Sequence, residues 1–336
     1  MDTFNVLVTG GAGFIGSYLA HTLSKAGHNV RILDLVSPEP ALSKITEYIK
    51  GNILESSSLR AFKDIDVVYH CAAKLPVEKC SFKEYSLVNY YGTLRALEYS
   101  MSMGVSKFVY LSSSAVYGYP NSPIRESSPR SPIEPYGKSK LLAEEACYAY
   151  RNLGLNTIIV RPRTVLGPRR LGILSVLFYW ISNNKNVYLI GDGNNLYQLL
   201  DIEDLVNALV LLLNSDCSNT EYNIGALKYG TLNDDLSSLI RAVGSSSRIV
   251  HVPSFIGKSA CRLLDRLTPL AKWHYLFIDK PFYFDISKAL KELHWTPKYS
   301  NKEMLLKWYS WYIESFSIGE STHRREAPPR ILRFLP

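Results

Sequence analysis

The sequence predicts an α/β fold, a doubly wound parallel sheet with a smaller mixed α/β region attached. Three observations carry this. Short β-branched runs alternate with helical patterns through the first half, a glycine-rich loop joins the first run to the first helix, and the regularity loosens after Arg161. The order strand, helix, strand requires parallel strands with right-handed crossovers and helices on both faces of the sheet.

Taken in order, residues 4–9 read as the first strand, 13–26 as a helix and 29–33 as the second strand. A helix at 56–62, a strand at 67–70 and a long helix at 82–103 follow, then a strand at 107–112, a helix at 135–152 and a strand at 156–161. Beyond them lie helical patterns at 171–182, 203–214, 232–242, 286–293 and 302–315, with short strands at 187–190 and 248–252. Strand-like Tyr222, Asn223 and Ile224 fall among these, so the two regions exchange segments. The expected organisation is a dinucleotide-binding domain over 1–165, a substrate-binding region over 166–316 interleaved with the sheet near 222–225, and a basic tail over 317–336.

Composition bounds the function. At 336 residues, 46% hydrophobic and 20% charged, the chain can bury a large core and is neither collagen-like nor disordered. Its five cysteines (71, 80, 147, 217, 261) are scattered, with no C-x-x-C pair, which argues against a disulfide framework or a zinc site and favours a cytoplasmic protein with no metal. The longest apolar runs, 173–181 and 205–213, are shorter than the roughly 18 residues a membrane span needs, and no secretory leader precedes the first strand. A net charge of +8 suits small phosphorylated partners, while no dense basic run with interleaved aromatics marks a nucleic-acid groove. Arg324, Arg325, Arg330 and Arg333 in the tail stand beside Pro328 and Pro329 and read as a frayed terminus.

The glycine loop is Thr9-Gly10-Gly11-Ala12-Gly13-Phe14-Ile15-Gly16, placed between the first strand and the first helix. Gly10 permits a tight turn, Gly13 lets the backbone approach a pyrophosphate, and Gly16 lets helix and strand pack closely; the helix N-terminus supplies free N–H groups to the phosphates. Asp34 ends the second strand where a carboxylate meets the adenosine ribose and repels a 2′-phosphate, which selects NAD over NADP. Arg31, three residues earlier, alternates to the other side of the pleat.

Tyr136 and Lys140 stand four apart at the start of a helix and share a face, and Ser113 ends a central strand, where ligands of open α/β sheets gather. The trio suits proton and hydride chemistry at a hydroxyl-bearing carbon: Tyr136 as the base, Ser113 holding the oxygen, and the Lys140 cation about 4 Å from the phenol to lower its pKa.

At these residues the chain resembles the extended short-chain dehydrogenase/reductases, specifically the NAD-dependent epimerase/dehydratase group that includes the UDP-glucose 4-epimerases. Further markers are His70-Cys71-Ala72-Ala73-Lys74, Asn89, Arg161-Pro162, Gly191-Asp192-Gly193, Asp201-Ile202-Glu203-Asp204 and His294-Trp295-Thr296-Pro297. The resemblance implies a Rossmann fold and an NAD site built from Gly10, Gly13, Phe14, Ile15, Gly16, Asp34, Asn52, Ile53, Cys71, Ala72, Ala73, Lys74, Asn89, Tyr136, Lys140 and Arg161, with Asn89 anchoring the active-site helix. It also implies a homodimer through the helices at 82–103 and 135–152.

The residues after Ser113 narrow the reaction. Dehydratases of this group carry an Asp-Glu pair there and decarboxylases a glutamate, whereas this chain has Ser114 and Ala115, which leaves epimerisation or simple oxidation and reduction. Substrate contacts fall at Ser114, Thr164, Arg169 and Tyr197. Thr164 and Tyr197 replace the asparagine and arginine that usually hold a nucleotide-sugar diphosphate, and Arg161, Arg163, Arg169 and Arg170 stand near the expected cleft mouth. Three readings remain: a nucleotide-sugar epimerase, an NAD-dependent dehydrogenase of a more apolar secondary alcohol, and an NAD-sensing protein.

Overall fold

The computed structural model describes residues 3–317, leaving out 79, 120, 173 and 264–278. The strands in chain order are β1 (Asn5–Thr9), β2 (Asn29–Asp34), β3 (Glu47–Lys50), β4 (Val67–His70), β5 (Lys107–Leu111), β6 (Thr157–Pro162), β7 (Thr164–Leu166), β8 (Val187–Ile190), β9 (Leu199–Asp201), β10 (Glu221–Ile224) and β11 (Ile249–Val252). Seven of them form one sheet in the order β10-β6-β5-β4-β1-β2-β3, and every pairing is parallel. The strand order reverses at the β1/β4 boundary, where the glycine loop leaves β1 and where such sheets bind ligands.

The period of two in the strands sorts side chains into two cores. Val6, Val8, Val67, Tyr69, Val109, Leu111, Ile158 and Val160 face the helices Phe14–Lys25 and Ile202–Asn214. Their neighbours Leu7, Val68, Phe108, Tyr110 and Ile159 face the helices Gly92–Ser102 and Pro135–Asn152. Both faces of the sheet are therefore dry. That is why the central strands read as continuous apolar runs.

β3 was not legible in the sequence. It has four residues at the sheet edge, half of them exposed, and pairs only with β2. Residues 56–62 form a 3₁₀ helix, and the long helix at 82–103 is broken by a π-turn at Ser86–Tyr91 between Phe82–Tyr85 and Gly92–Ser102.

After β6 the chain builds the parallel pairs β7–β9 and β8–β11, then returns through β10 to pair with β6. Asp201 and Asp204 tie the late chain to this region. Asp201 caps the helix Ile202–Asn214 and accepts from Trp308 Nε1, while Asp204 accepts from the backbone of Lys298 and Tyr299. Trp295, fully buried, donates to the Asp204 carbonyl. The tail, residues 324–336, lies outside the described residues.

Candidate active site

At the end of β1, Gly10 takes φ +68°, and a side chain on Gly16 would collide with the Gly10 carbonyl. Gly13 is exposed at the N-cap of the helix Phe14–Lys25, no side chain caps that end, and its first turn carries no acidic residue. The Asp34 carboxylate accepts from the Ala12 N–H at 3.0 Å and the Val36 N–H at 3.2 Å, which fixes it beside the loop. Open backbone donors, a close glycine cradle and a carboxylate at the second strand end fit a dinucleotide with free ribose hydroxyls. Arg31 turns away, donating to Glu47 and to the carbonyls of Ala61 and Lys63.

Ser113 ends β5 in extended backbone and caps the short 3₁₀ turn Ser114–Tyr117, its Oγ accepting from the Ala115 N–H at 3.2 Å. The helix Pro135–Asn152 starts on the Glu134 carboxylate, which accepts from the Tyr136 N–H at 2.7 Å and from the Gly137 N–H. Gly137 then permits contact with the turn, since a Cβ there would stand 2.5 Å from the Ala115 carbonyl. This approach brings Tyr136 against Ser113, and the two side chains hydrogen-bond. The acidic N-cap followed by proline was the sequence signal for Glu134.

Burial dominates the electrostatics of both Tyr136 and Lys140. Burial pushes the Tyr136 phenol up to about 12, opposed by the Ser113 hydroxyl and, more weakly, by Arg170; the Glu134 and Tyr85 side chains push it the same way as burial. The Lys140 ammonium donates to the Leu111 carbonyl at 2.6 Å and sits 4.3 Å from the Tyr110 ring centre, with its pKa lowered to about 8 by burial. The shared helix face is real, but the lysine is drawn to the strand end, because a buried ammonium needs the carbonyl.

Asn89 lies in the π-turn, fully buried. Its amide bonds the Lys74 backbone on both sides and donates to Ser139 Oγ at 3.0 Å. It therefore anchors the loop after β4 to the Tyr136 helix. Arg161 is corrected: its guanidinium is 1% exposed and paired with Glu144, Tyr117 and Tyr148, inside the fold rather than in the cleft. Ile53 is a core side chain, whereas the neighbouring Asn52 is half-buried and accepts from the Leu54 N–H. Phe14, Ile15, Cys71, Ala72, Ala73 and Lys74 are half-buried around the β1 and β4 ends. His70 lies between Thr9 Oγ1 and Thr93 Oγ1, buried and held neutral.

Of the substrate candidates, Thr164 and Tyr197 come together, hydroxyl to hydroxyl at 3.0 Å, and Ser114 joins them through Arg163. Arg169 does not. It pairs with Glu39, beyond the end of β2 on the adenosine side.

A doubly wound sheet with an uncapped glycine-loop helix at its switch point and a Ser/Tyr/Lys set at the C-terminal end of β5 defines a dinucleotide-dependent enzyme of the short-chain dehydrogenase/reductase type. Residues 6–225 match the NAD dependent epimerase/dehydratase family, and the chain belongs to that family. An uncharacterized protein, y4nG, of Sinorhizobium fredii is 39% identical over 98% of this chain and 85% of its own. A putative UDP-glucose 4-epimerase of Methanocaldococcus jannaschii is 28% identical over 91% of this chain and 97% of its own. Among solved structures, UDP-glucuronic acid 4-epimerase from Bacillus cereus in complex with NAD superposes with a TM-score of 0.76 at 26% identity, covering 93% of this chain and 99% of that one.

Proposed function

We propose that this protein is an NAD-dependent epimerase of a nucleotide-activated sugar, inverting a ring carbon by transient oxidation. The observation that carries the reading is the Ser113–Tyr136 pair at the C-terminal end of β5, followed by Ser114 and Ala115 in place of further acid or base groups. Family membership and the similarity to epimerases support it.

NAD, when bound, supplies the hydride acceptor. Ser113 holds the sugar hydroxyl, and Tyr136 takes its proton as the carbon is oxidised and returns it after the ring has turned. Gly13 and the free N–H groups of the Phe14–Lys25 helix would hold the pyrophosphate, and Asp34 the adenosine ribose. Lys140 spends one of its three N–H donors on Leu111 and keeps two for ligand hydroxyls.

The test is to incubate the protein with UDP- and dTDP-sugars and follow the products by NMR. A new epimer without net NADH is expected; stoichiometric NADH with an oxidised product would mark a dehydrogenase instead, and NAD binding without turnover would mark a sensor. Tyr136→Phe should retain NAD and lose about 10²–10⁴ in turnover.

We also propose a cytoplasmic homodimer. Leu87, Tyr91 and Met101 are exposed apolar side chains on the Ser86–Ser102 stretch, and Leu142 is exposed on the neighbouring helix.

A further inference from the structure

Arg163 follows β6 directly and is 3% exposed. Its Nε donates to the Gln198 carbonyl at 3.2 Å and its Nη1 to Ser114 Oγ at 3.3 Å. The guanidinium carbon lies 4.1 Å from the Phe282 ring centre, 5.1 Å from that of Tyr197 and 5.6 Å from that of Phe284. Nη2 is buried with no hydrogen-bond partner. Among the described residues no carboxylate pairs with this cation; the groups around it are the hydroxyls of Ser114 and Tyr197, a carbonyl and aromatic faces.

Such a group is costly inside a fold. Removing a guanidinium from water without a counter-ion is unfavourable by several kcal/mol, which aromatic faces offset only in part. Arg161, two residues earlier, shows the ordinary structural solution, a bidentate pair with the buried Glu144 carboxylate. Arg163 has the same burial without the carboxylate. Its polar side-chain partners are both neutral: Ser114 is the residue next to Ser113, and Tyr197 carries the hydroxyl bonded to Thr164. The unpaired cation is thus built into the wall of the substrate site.

We propose that Arg163, with Ser114, receives a carboxylate carried on the sugar ring, so that the preferred substrate is an acidic rather than a neutral nucleotide sugar. This rests on the epimerase reading for the identity of the site. A ring carboxylate suits the position because Ser114 adjoins the serine that holds the reacting hydroxyl, which places the cation beside the reacting part of the sugar. A single negative charge also matches a single buried guanidinium, whose two-pronged donor edge fits a carboxylate. A diphosphate carries more charge and more acceptor oxygens than this one cation and its neutral neighbours satisfy.

Binding is read separately from turnover by using Tyr136→Phe, loaded with NAD, as the host. Calorimetry with UDP-glucose against UDP-glucuronic acid, and with the corresponding dTDP pair, should show at least about tenfold tighter binding of the acidic sugar for one nucleotide. Adding Arg163→Met should remove that preference while leaving the neutral sugar within about twofold, and Arg163→Lys should recover only part of it. Equal loss for acidic and neutral sugars, as diphosphate binding would give, overturns the proposal; so does the absence of any acidic preference with either nucleotide in the host. If Arg163→Met fails to fold, the host's own preference and Arg163→Lys decide. Failure of the epimerase reading is distinct: the wild-type protein would form no epimer from either sugar, whatever its binding preference.

Discussion

At the scale of single residues, neighbouring positions with similar side chains have opposite fates, and pH exposes the difference. His70 is held neutral by burial, its pKa lowered to about 3 against 6.5 in the unfolded chain. The unfolded chain therefore binds the extra proton first: stability from this group is complete above pH 6.5 and is lost as pH falls towards 3, by about 4–5 kcal/mol in all. His70→Phe, though less stable at pH 7 for want of the Thr9 and Thr93 bonds, should lose less of its stability between pH 6.5 and 4 in urea titrations. Glu144 is the counterpart among carboxylates. It accepts from Arg161, Arg130 and Ser112, and Glu144→Gln should cost about 3–5 kcal/mol by leaving Arg161 without a full counter-charge. The proposed trio Ser113, Tyr136 and Lys140 could be singled out because it is coded by linear spacing and by a strand end. Glu144 could not, since it meets Arg161 only after helix and strand have packed; nothing local distinguishes Arg161 from Arg163.

At the scale of elements, the candidate active site is a contact between a turn and a helix. Gly137 sets its closeness, and Gly137→Ala should push the Tyr136 helix off the Ala115 carbonyl, lowering turnover by roughly 100-fold while NAD affinity, which depends on the distant glycine loop, changes little. Stopped assays beside NAD titration check both. Elements with long apolar periods, such as β1, β4, β5 and the helix Pro135–Asn152, were read almost to the residue. β7 and β9, of three residues each, are too short to show any period, and the π-turn at Ser86–Tyr91 leaves no mark in a pattern that still looks helical on either side.

At the scale of the whole molecule, the exposed apolar side chains Leu87, Tyr91 and Met101 predict that Leu87→Asp together with Tyr91→Asp yields monomers by light scattering where the native chain yields dimers. The doubly wound topology was legible because alternation of strands and helices admits few arrangements. The return of the chain through β10 has a consequence for how the protein is made. β6 is complete at Pro162, but the strand that covers its outer side ends only at Ile224, after the β7, β8 and β9 segments and the helix Ile202–Asn214 have been synthesised. During translation β6 is therefore an open edge whose residues are all buried in the finished fold, the kind that recruits other nascent chains. Ribosome-bound chains stalled before residue 221 should aggregate or hold chaperones, and chains stalled far enough beyond 224 for β10 to clear the exit tunnel should release them.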